Sequence, residues 1–312
     1  MIDAVITIVI PVYNEQNQIG KSLKIIYDIL IKNGINHEFL LIDDGSKDNT
    51  WDAIKQASAE IPNIQALKLS RNFGKEAALC AGLENVKSEA CITMDADLQH
   101  PPEIIPEMVK LWKESGFDVV EGVKTSRGKE RLVNKFGAQF FYNILRKTSG
   151  IDLNMASDFK LIDRKVIEAW RHMGERNTFF RGMSAWVGYK RASIPFVVAD
   201  RDQGKTKWSI IRLFRLAINA ITSFSSLPLQ IVTLIGIVFL IGSFFLGIQT
   251  IYMKIVNIAV SGFTTVILLQ LIIGSALMIS LGIIGTYIAK IYDEVKYRPR
   301  YLISEKLEEK EK

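Results

Sequence analysis

Two aspartates, Asp95 and Asp97, stand two residues apart where an apolar run from Ala90 to Met94 ends, and Pro101 and Pro102 follow just beyond them. Carboxylates at this spacing supply hard oxygen ligands to Mg2+ or Mn2+. Such a pair is common in solvated turns, so its place after a buried run is what sharpens the reading. A second acidic pair, Asp43 and Asp44, closes the apolar run Phe39 to Ile42. An aspartate at a strand end also serves as a cap for the helix that follows. His37, His100 and His172 share no ligand spacing and are assigned no catalytic role. Cys80 and Cys91 fit neither a CxxC nor a metal pattern and read as packing residues in a reducing compartment.

The elements that must hold these groups are legible as alternating short strands and helices. Val5 to Ile10 is a β-branched run stopped by Pro11, and Gln18 to Lys32 carries apolar residues at helical spacing before Gly34. The alternation continues with a strand at Phe39–Ile42, a helix from Asp48, a strand at Ala66–Leu69, a helix from Gly74 to Asn85 and a strand at Ala90–Met94. Strands alternating with helices of this length predict an α/β fold with a mainly parallel, doubly wound sheet. Ligands of such sheets lie beyond the carboxyl ends of the strands, where both acidic pairs fall. Later expectations are a helix through Val109 and Trp112, a strand at Val119–Gly122, a helix around Phe136 to Leu145, a segment at Phe159–Ile162, a helix near Val166 to Met173 and a strand at Ile194–Val198.

The carboxyl-terminal third is different in kind. No Asp, Glu, Lys or Arg occurs from Leu216 to Met253, and Lys254 is the one charge before Lys290. Residues 227–253 and 264–289 are each long enough to cross a hydrocarbon core of roughly 30 Å at about 1.5 Å per helical residue. Two crossings return the chain to the side it left. Both outer flanks are rich in Lys and Arg, so both termini are expected in the cytosol. Trp208, Ile211, Leu213, Phe214 and Leu216 interleave with Lys207, Arg212 and Arg215, which suits an amphipathic juxtamembrane segment over 208–226. The division expected is a cytosolic domain over 1–207, that segment, two spans, and a charged tail over 290–312. The start has no basic n-region and too short an apolar run for a signal peptide, so the domain is expected to stay in the cytosol against the plasma (inner) membrane. Gly236, Gly242 and Gly247 would let helices approach closely, which permits a homo-oligomer without showing one.

Four ordered segments carry a resemblance: Ile10-Pro-Val-Tyr-Asn-Glu15, Ile42-Asp-Asp-Gly-Ser46, Asn72-Phe-Gly-Lys75 and Asp95-Ala-Asp-Leu-Gln99. In this order and spacing the chain resembles inverting family 2 glycosyltransferases of the GT-A fold. Within them it is most similar to the polyprenyl-phosphate sugar transferases, that is, dolichol-phosphate mannose synthases and, with two carboxyl-terminal spans, bactoprenol glucosyltransferases. The resemblance implies a nucleotide-sugar donor, a polyprenyl phosphate acceptor and a divalent metal. It places Pro11, Tyr13 and Glu15 at the base and ribose, Asp44 with Asp43 at the uracil or ribose edge, and Lys75 near the pyrophosphate. Asp97 and Gln99 would bind the metal, with Asp95 sharing it or reaching the ribose.

Lys124, Arg127 and Arg131 form a basic group suited to a lipid phosphate, although a solvated loop would read the same. Arg201 and Lys207 occupy the place of a family segment that closes over the site. Asp158 matches an acceptor-side aspartate, as a general base or as a holder of sugar hydroxyls, and Arg181 would touch diphosphate or lipid phosphate.

The two-span architecture implies UDP-glucose, while the motifs also tolerate GDP-mannose. A net charge of +6 over 312 residues does not indicate nucleic acid. A processive polysaccharide synthase would carry a Gln-x-x-Arg-Trp segment, which is absent. A non-catalytic membrane-anchored nucleotide-binding protein is the rival of another class, and the intact Asp95, Asp97 and Gln99 count against it.

Overall fold

The structure is a computed structural model, and it describes residues 5–124, 157–176, 179–197, 222, 227–256 and 262–308. The chain divides into two compact units, one formed by Met1–Lys207 with Pro299–Lys312, the other by Trp208–Arg298.

The first unit opens with β1 (Ile6–Val12), α1 (Ile19–Lys32), β2 (His37–Asp43), α2 (Thr50–Glu60), β3 (Ile64–Leu69), α3 (Lys75–Asn85) and β4 (Ala90–Thr93). A short 3-10 turn and α4 (Ile105–Ser115) follow, then β5 (Val119–Lys124), β6 (Lys160–Asp163), α5 (Arg164–His172), α6 (Phe180–Trp186) and β7 (Arg191–Phe196). After the second unit, β8 (Ile303–Leu307) completes an eight-stranded sheet of order β7-β5-β6-β4-β1-β2-β3-β8. Strands β4, β1, β2 and β3 are mutually parallel, β5 and β7 pair in parallel, and β6 and β8 run against their neighbours. The sheet is therefore mixed, with a parallel half and an antiparallel insertion.

Burial explains why these segments fold as they do. β1 is buried almost throughout, as a strand covered on both faces must be, and it reads as a continuous apolar run. α1 buries Ile19, Leu23, Ile26 and Leu30 along one stripe, and Gly34 beyond its end takes the left-handed conformation that stops it. α3 is a helix of small residues, with Ala77, Ala78, Ala81 and Gly82 all buried. A Cβ on Gly82 would collide with the Val9 side chain, so the glycine lets this helix lie close on β1.

The expected strand at Ile194–Val198 forms earlier, as Arg191–Phe196, because pairing with β5 runs from Val119–Arg191 to Lys124–Phe196. The expected charged tail contains a strand: β8 pairs antiparallel with β3, and Glu305 accepts from Trp51 Nε1 at 2.8 Å and from Lys68 Nζ at 3.2 Å. Arg300 reaches Glu84 Oε1 at 3.0 Å and the Tyr301 hydroxyl donates to Glu84 Oε2 at 2.7 Å. The helix expected near Phe136 to Leu145 and the segment 208–226, Thr222 apart, lie outside the described residues.

The second unit contains α7 (Leu227–Ile255) and α8 (Phe263–Val295), 29 and 33 residues long. Both are long and apolar enough to cross a membrane. Their side chains are exposed from Leu234 to Ile255 and from Val266 to Val295 at large apolar positions, a surface that water would penalise and lipid would not. The hydroxyls of Thr233, Thr250, Ser275, Ser280 and Thr286 donate to carbonyls four residues back, which leaves each satisfied within its own helix.

One position tests the packing of the first unit. Gly45 has φ +65°, and a Cβ there would strike the Arg71 backbone, so Gly45→Ala should destabilise the protein by about 1–3 kcal/mol. Gly20, on α1 with open space around it, provides the control: Gly20→Ala should be neutral or slightly stabilising. Thermal unfolding of the two purified variants in detergent checks both.

Candidate active site

The carboxyl ends of the parallel strands surround a cavity of about 320 Å3, lined by Pro11 and Val12 at the end of β1, Tyr13 and Glu15 after it, Asp44 after β2, Asn72, Gly74, Lys75 and Ala78 around the start of α3, and Asp95 to Asp97 after β4. Four consecutive strand–helix connections thus converge on one opening, as the sheet topology requires.

The first two connections are laced together by side chains that accept from backbone N–H groups. Asn14 N–H donates to Ser46 Oγ at 2.9 Å, Glu15 N–H to Thr50 Oγ1 at 2.8 Å and Lys47 N–H to Asn14 Oδ1 at 2.9 Å. Asp48 accepts from both the backbone and the hydroxyl of Thr50. Tyr13, 40% exposed, is left standing at the mouth of the cavity.

Asp43 and Asp44 separate in role. Asp43 is fully buried, accepts Ser46 N–H at 2.9 Å and is not among the residues lining the cavity, so its Oδ1 shapes the turn. Asp44 accepts the N–H groups of Phe73 and Gly74 at 2.7 and 2.8 Å, which fixes the approach to α3 while the residue lines the cavity. Burial pushes its carboxyl up from the ordinary value, and Asp43 adds to this against the two backbone donors.

At the centre is a chain of alternating charge. Lys75 Nζ lies 2.5 Å from Asp95 Oδ1 and 3.0 Å from Asp158 Oδ2. Arg181 grips Asp158 with two bonds, Nε to Oδ1 at 2.7 Å and a terminal nitrogen to Oδ2 at 2.8 Å. Burial alone would raise the Asp158 carboxyl, but the hydrogen bonds and charge of Arg181, with those of Lys75, hold it well below the usual carboxylate range. Asp158 thus bridges the two cations. The Lys75 ammonium is in turn raised: its burial opposes the charge, and Asp158 and Asp95 outweigh that.

Asp95 and Asp97 share one turn, closed where Gln99 N–H donates to Asp97 Oδ1 at 3.1 Å and Leu98 takes φ +57°. Gln99 is not among the residues lining the cavity. Glu15 faces the same turn; its carboxyl is pushed up first by burial and then by Asp97, Asp48 and Asp95. Among the described residues no three His, Cys, Asp or Glu side chains form a group that could hold a metal by themselves. The donors fit a hard divalent cation of the kind that takes one or two carboxylates and completes its shell with water and substrate phosphates.

Behind this chain stands a group the spacing did not reveal. Lys160, fully buried, reaches Glu121 Oε1 at 2.8 Å, Arg191 pairs with the other oxygen, and Lys160 Nζ lies 4.8 Å from the centre of the Phe180 ring next to Arg181. Glu76 Oε2 accepts Phe180 N–H at 2.7 Å. Lys124 ends β5 and lies outside the cavity lining; Arg127, Arg131, Arg201 and Lys207 lie outside the described residues.

The sequence over residues 7–171 matches the family described as glycosyl transferase family 2. The chain belongs to that family. Its relatives match over nearly all of their length as well. An uncharacterized glycosyltransferase of Synechocystis is 38% identical over 305 residues, 96% of this chain and 95% of its own. The prophage bactoprenol glucosyl transferase homolog of Escherichia coli is 37% identical over 96% of this chain and 98% of its own. The bactoprenol glucosyl transferase of Shigella phage SfII is 36% identical over 96% and 97%. The protein is therefore a glycosyltransferase, and its mixed sheet is the GT-A-like domain of the family.

In this glycosyltransferase Asp158→Asn should remove the anion that Arg181 and Lys75 share and destabilise the domain by about 1.5–3 kcal/mol. The depressed carboxyl contributes stability that is fully present above its unfolded value near 4 and is lost as pH falls through its folded value. Thermal scans from pH 7 down to about 3 should therefore show a steeper acid loss in the wild type than in the Asn variant.

Proposed function

We propose that the chain catalyses the inverting, metal-dependent transfer of glucose from UDP-glucose to polyprenyl phosphate at the cytosolic face of the plasma (inner) membrane, giving a lipid-linked sugar for cell-envelope glycan modification. The observation that carries the reading is the pairing of a strand-end cavity, bearing Asp95, Asp97 and Lys75, with two apolar helices of membrane-spanning length in one chain. Relatives named for bactoprenol glucosyl transfer, matched along both parts, favour glucose and a polyprenyl carrier. The Lys and Arg flanks of the two helices favour cytosolic termini and a cytosolic catalytic domain.

In this reading Pro11, Tyr13, Glu15 and Asp44 hold the nucleoside, and Asp95 and Asp97, with Gln99 in support, hold Mg2+ or Mn2+. When bound, the cation neutralises the charge that builds on the departing diphosphate. Lys75 and Arg181 offer positive charge beside it from the Asp158 anchor. The acceptor phosphate is received on cations, with Lys124, Arg127, Arg131, Arg201 and Lys207 assigned to it. A phosphate monoester has its second pKa around 6 and is largely ionised near neutrality, so its oxygen attacks without a protein base. That oxygen bonds to the anomeric carbon from the face opposite the nucleotide as the bond to diphosphate breaks, which inverts configuration and releases the nucleoside diphosphate. The ion-paired state of Asp158 supports an anchoring role over proton transfer.

Purified protein with Mn2+ or Mg2+ is expected to label polyprenyl phosphate from radiolabelled UDP-glucose, and chelation with EDTA should abolish the labelling. Incorporation from GDP-mannose alone would defeat the donor assignment. Asp97→Asn should lower turnover by at least about a hundredfold with the unfolding temperature unchanged, a loss of the size seen when a charge-stabilising group is removed; wild-type turnover would refute its role.

A further inference from the structure

The metal turn is held from behind by a residue that the sequence pattern leaves without a role. β4 leaves its ladder at Thr93, and the N–H of Asp95 has no strand partner; it donates instead to His100 Nδ1 at 3.1 Å. His100 is 5% exposed, and its ring stacks on Phe159, with centroids 5.0 Å apart and planes at 18°. The Phe196 ring meets it edge-on at 6.2 Å. Phe159 directly precedes β6 and Phe196 ends β7, so the ring that accepts from the turn is clamped by residues of the β7-β5-β6 end of the sheet. Pro101 restricts the His100 backbone to extended conformations, which removes a further freedom. Because Nδ1 accepts the Asp95 N–H it carries no proton, and the ring bears its proton on Nε2.

We propose that His100 is a positioning residue for the metal turn: its Nδ1, fixed by the Phe159 and Phe196 rings, sets the backbone at Asp95 and so the direction in which the Asp95 and Asp97 carboxylates point. It touches neither donor nor acceptor. It acts as outer partners of metal ligands do, by removing the alternative orientations of the group in front. Volume and stacking are separable from hydrogen bonding here, because a phenylalanine keeps the ring and loses the acceptor, while an asparagine loses the ring and places its Oδ1 near the position of Nδ1.

The inference rests on the metal-dependent reading above, and the test keeps the two apart. Mn2+ binding to the full-length protein in detergent with UDP is followed by electron paramagnetic resonance beside turnover, for the wild type, His100→Phe and His100→Asn. Expected are a tenfold or greater loss of Mn2+ affinity in His100→Phe, in the range of about 10–100-fold that outer partners command, and recovery to within about threefold in His100→Asn. With three histidines in the chain, 15N-histidine spectra of the wild type should also show one ring, absent in either variant, as the neutral Nε2–H form with an accepting Nδ1. Equal Mn2+ affinity in the two variants, whether both intact or both impaired, would overturn the inference while leaving the metal-dependent reading standing. A wild-type protein that binds no Mn2+ would overturn both. Should His100→Phe fail to accumulate in the membrane, His100→Ala set against His100→Asn makes the same comparison, since alanine also removes the acceptor.

Discussion

The ammonium of Lys75 lies between two carboxylates that come from neighbouring strands of opposite direction, Asp95 after β4 and Asp158 ahead of β6. Each carboxylate would be repelled by the other were the lysine withdrawn, and the lysine would be a partly desolvated cation without them. The three groups therefore enforce one another, and Arg181 extends the alternation by one step. An arrangement of this kind presents positive charge and hard oxygen side by side, which is what the separation of a sugar from a diphosphate calls for.

The β7-β5-β6 end of the sheet contributes rigidity at some electrostatic cost. Taking Lys160 and Glu121 out of water is unfavourable, and their own ion pair, the Arg191 contact and the Phe180 ring work against that cost. What the cluster secures is place: the Phe180–Arg181 corner is held by Lys160 from one side and by Glu76 from another. Arg181 is thereby presented to Asp158 by the fold itself.

The parallel strands and their helices were legible because a strand buried on both faces must be apolar throughout, and the runs at Val5–Ile10, Phe39–Ile42 and Ala90–Met94 are so. β7 was displaced because Arg191-Ala-Ser-Ile-Pro-Phe196 alternates with polar positions, and its limits come from pairing with β5. β8 left no readable mark. Ile303-Ser-Glu-Lys-Leu307 is a charged edge strand, and only Trp51, Lys68 and the rim of β3 tell it from a tail. In the site, Asp95 and Asp97 stood out as neighbours, and Lys75, Asp158 and Arg181 followed from a resemblance. That the last three meet could not be read from spacing, since 83 residues separate Lys75 from Asp158 and 23 separate Asp158 from Arg181. His100 escaped notice because it serves a backbone N–H, and no pattern of side chains records such a bond.

The edge strand β8 also bears on how the molecule comes into being. The globular unit is discontinuous in sequence: its last strand is translated after both apolar helices. Until then the outer rim of β3, with Trp51 and Lys68 beside it, has no neighbour from its own chain. Connectivity thus places the synthesis of both apolar helices before the closure of the sheet at its outer edge.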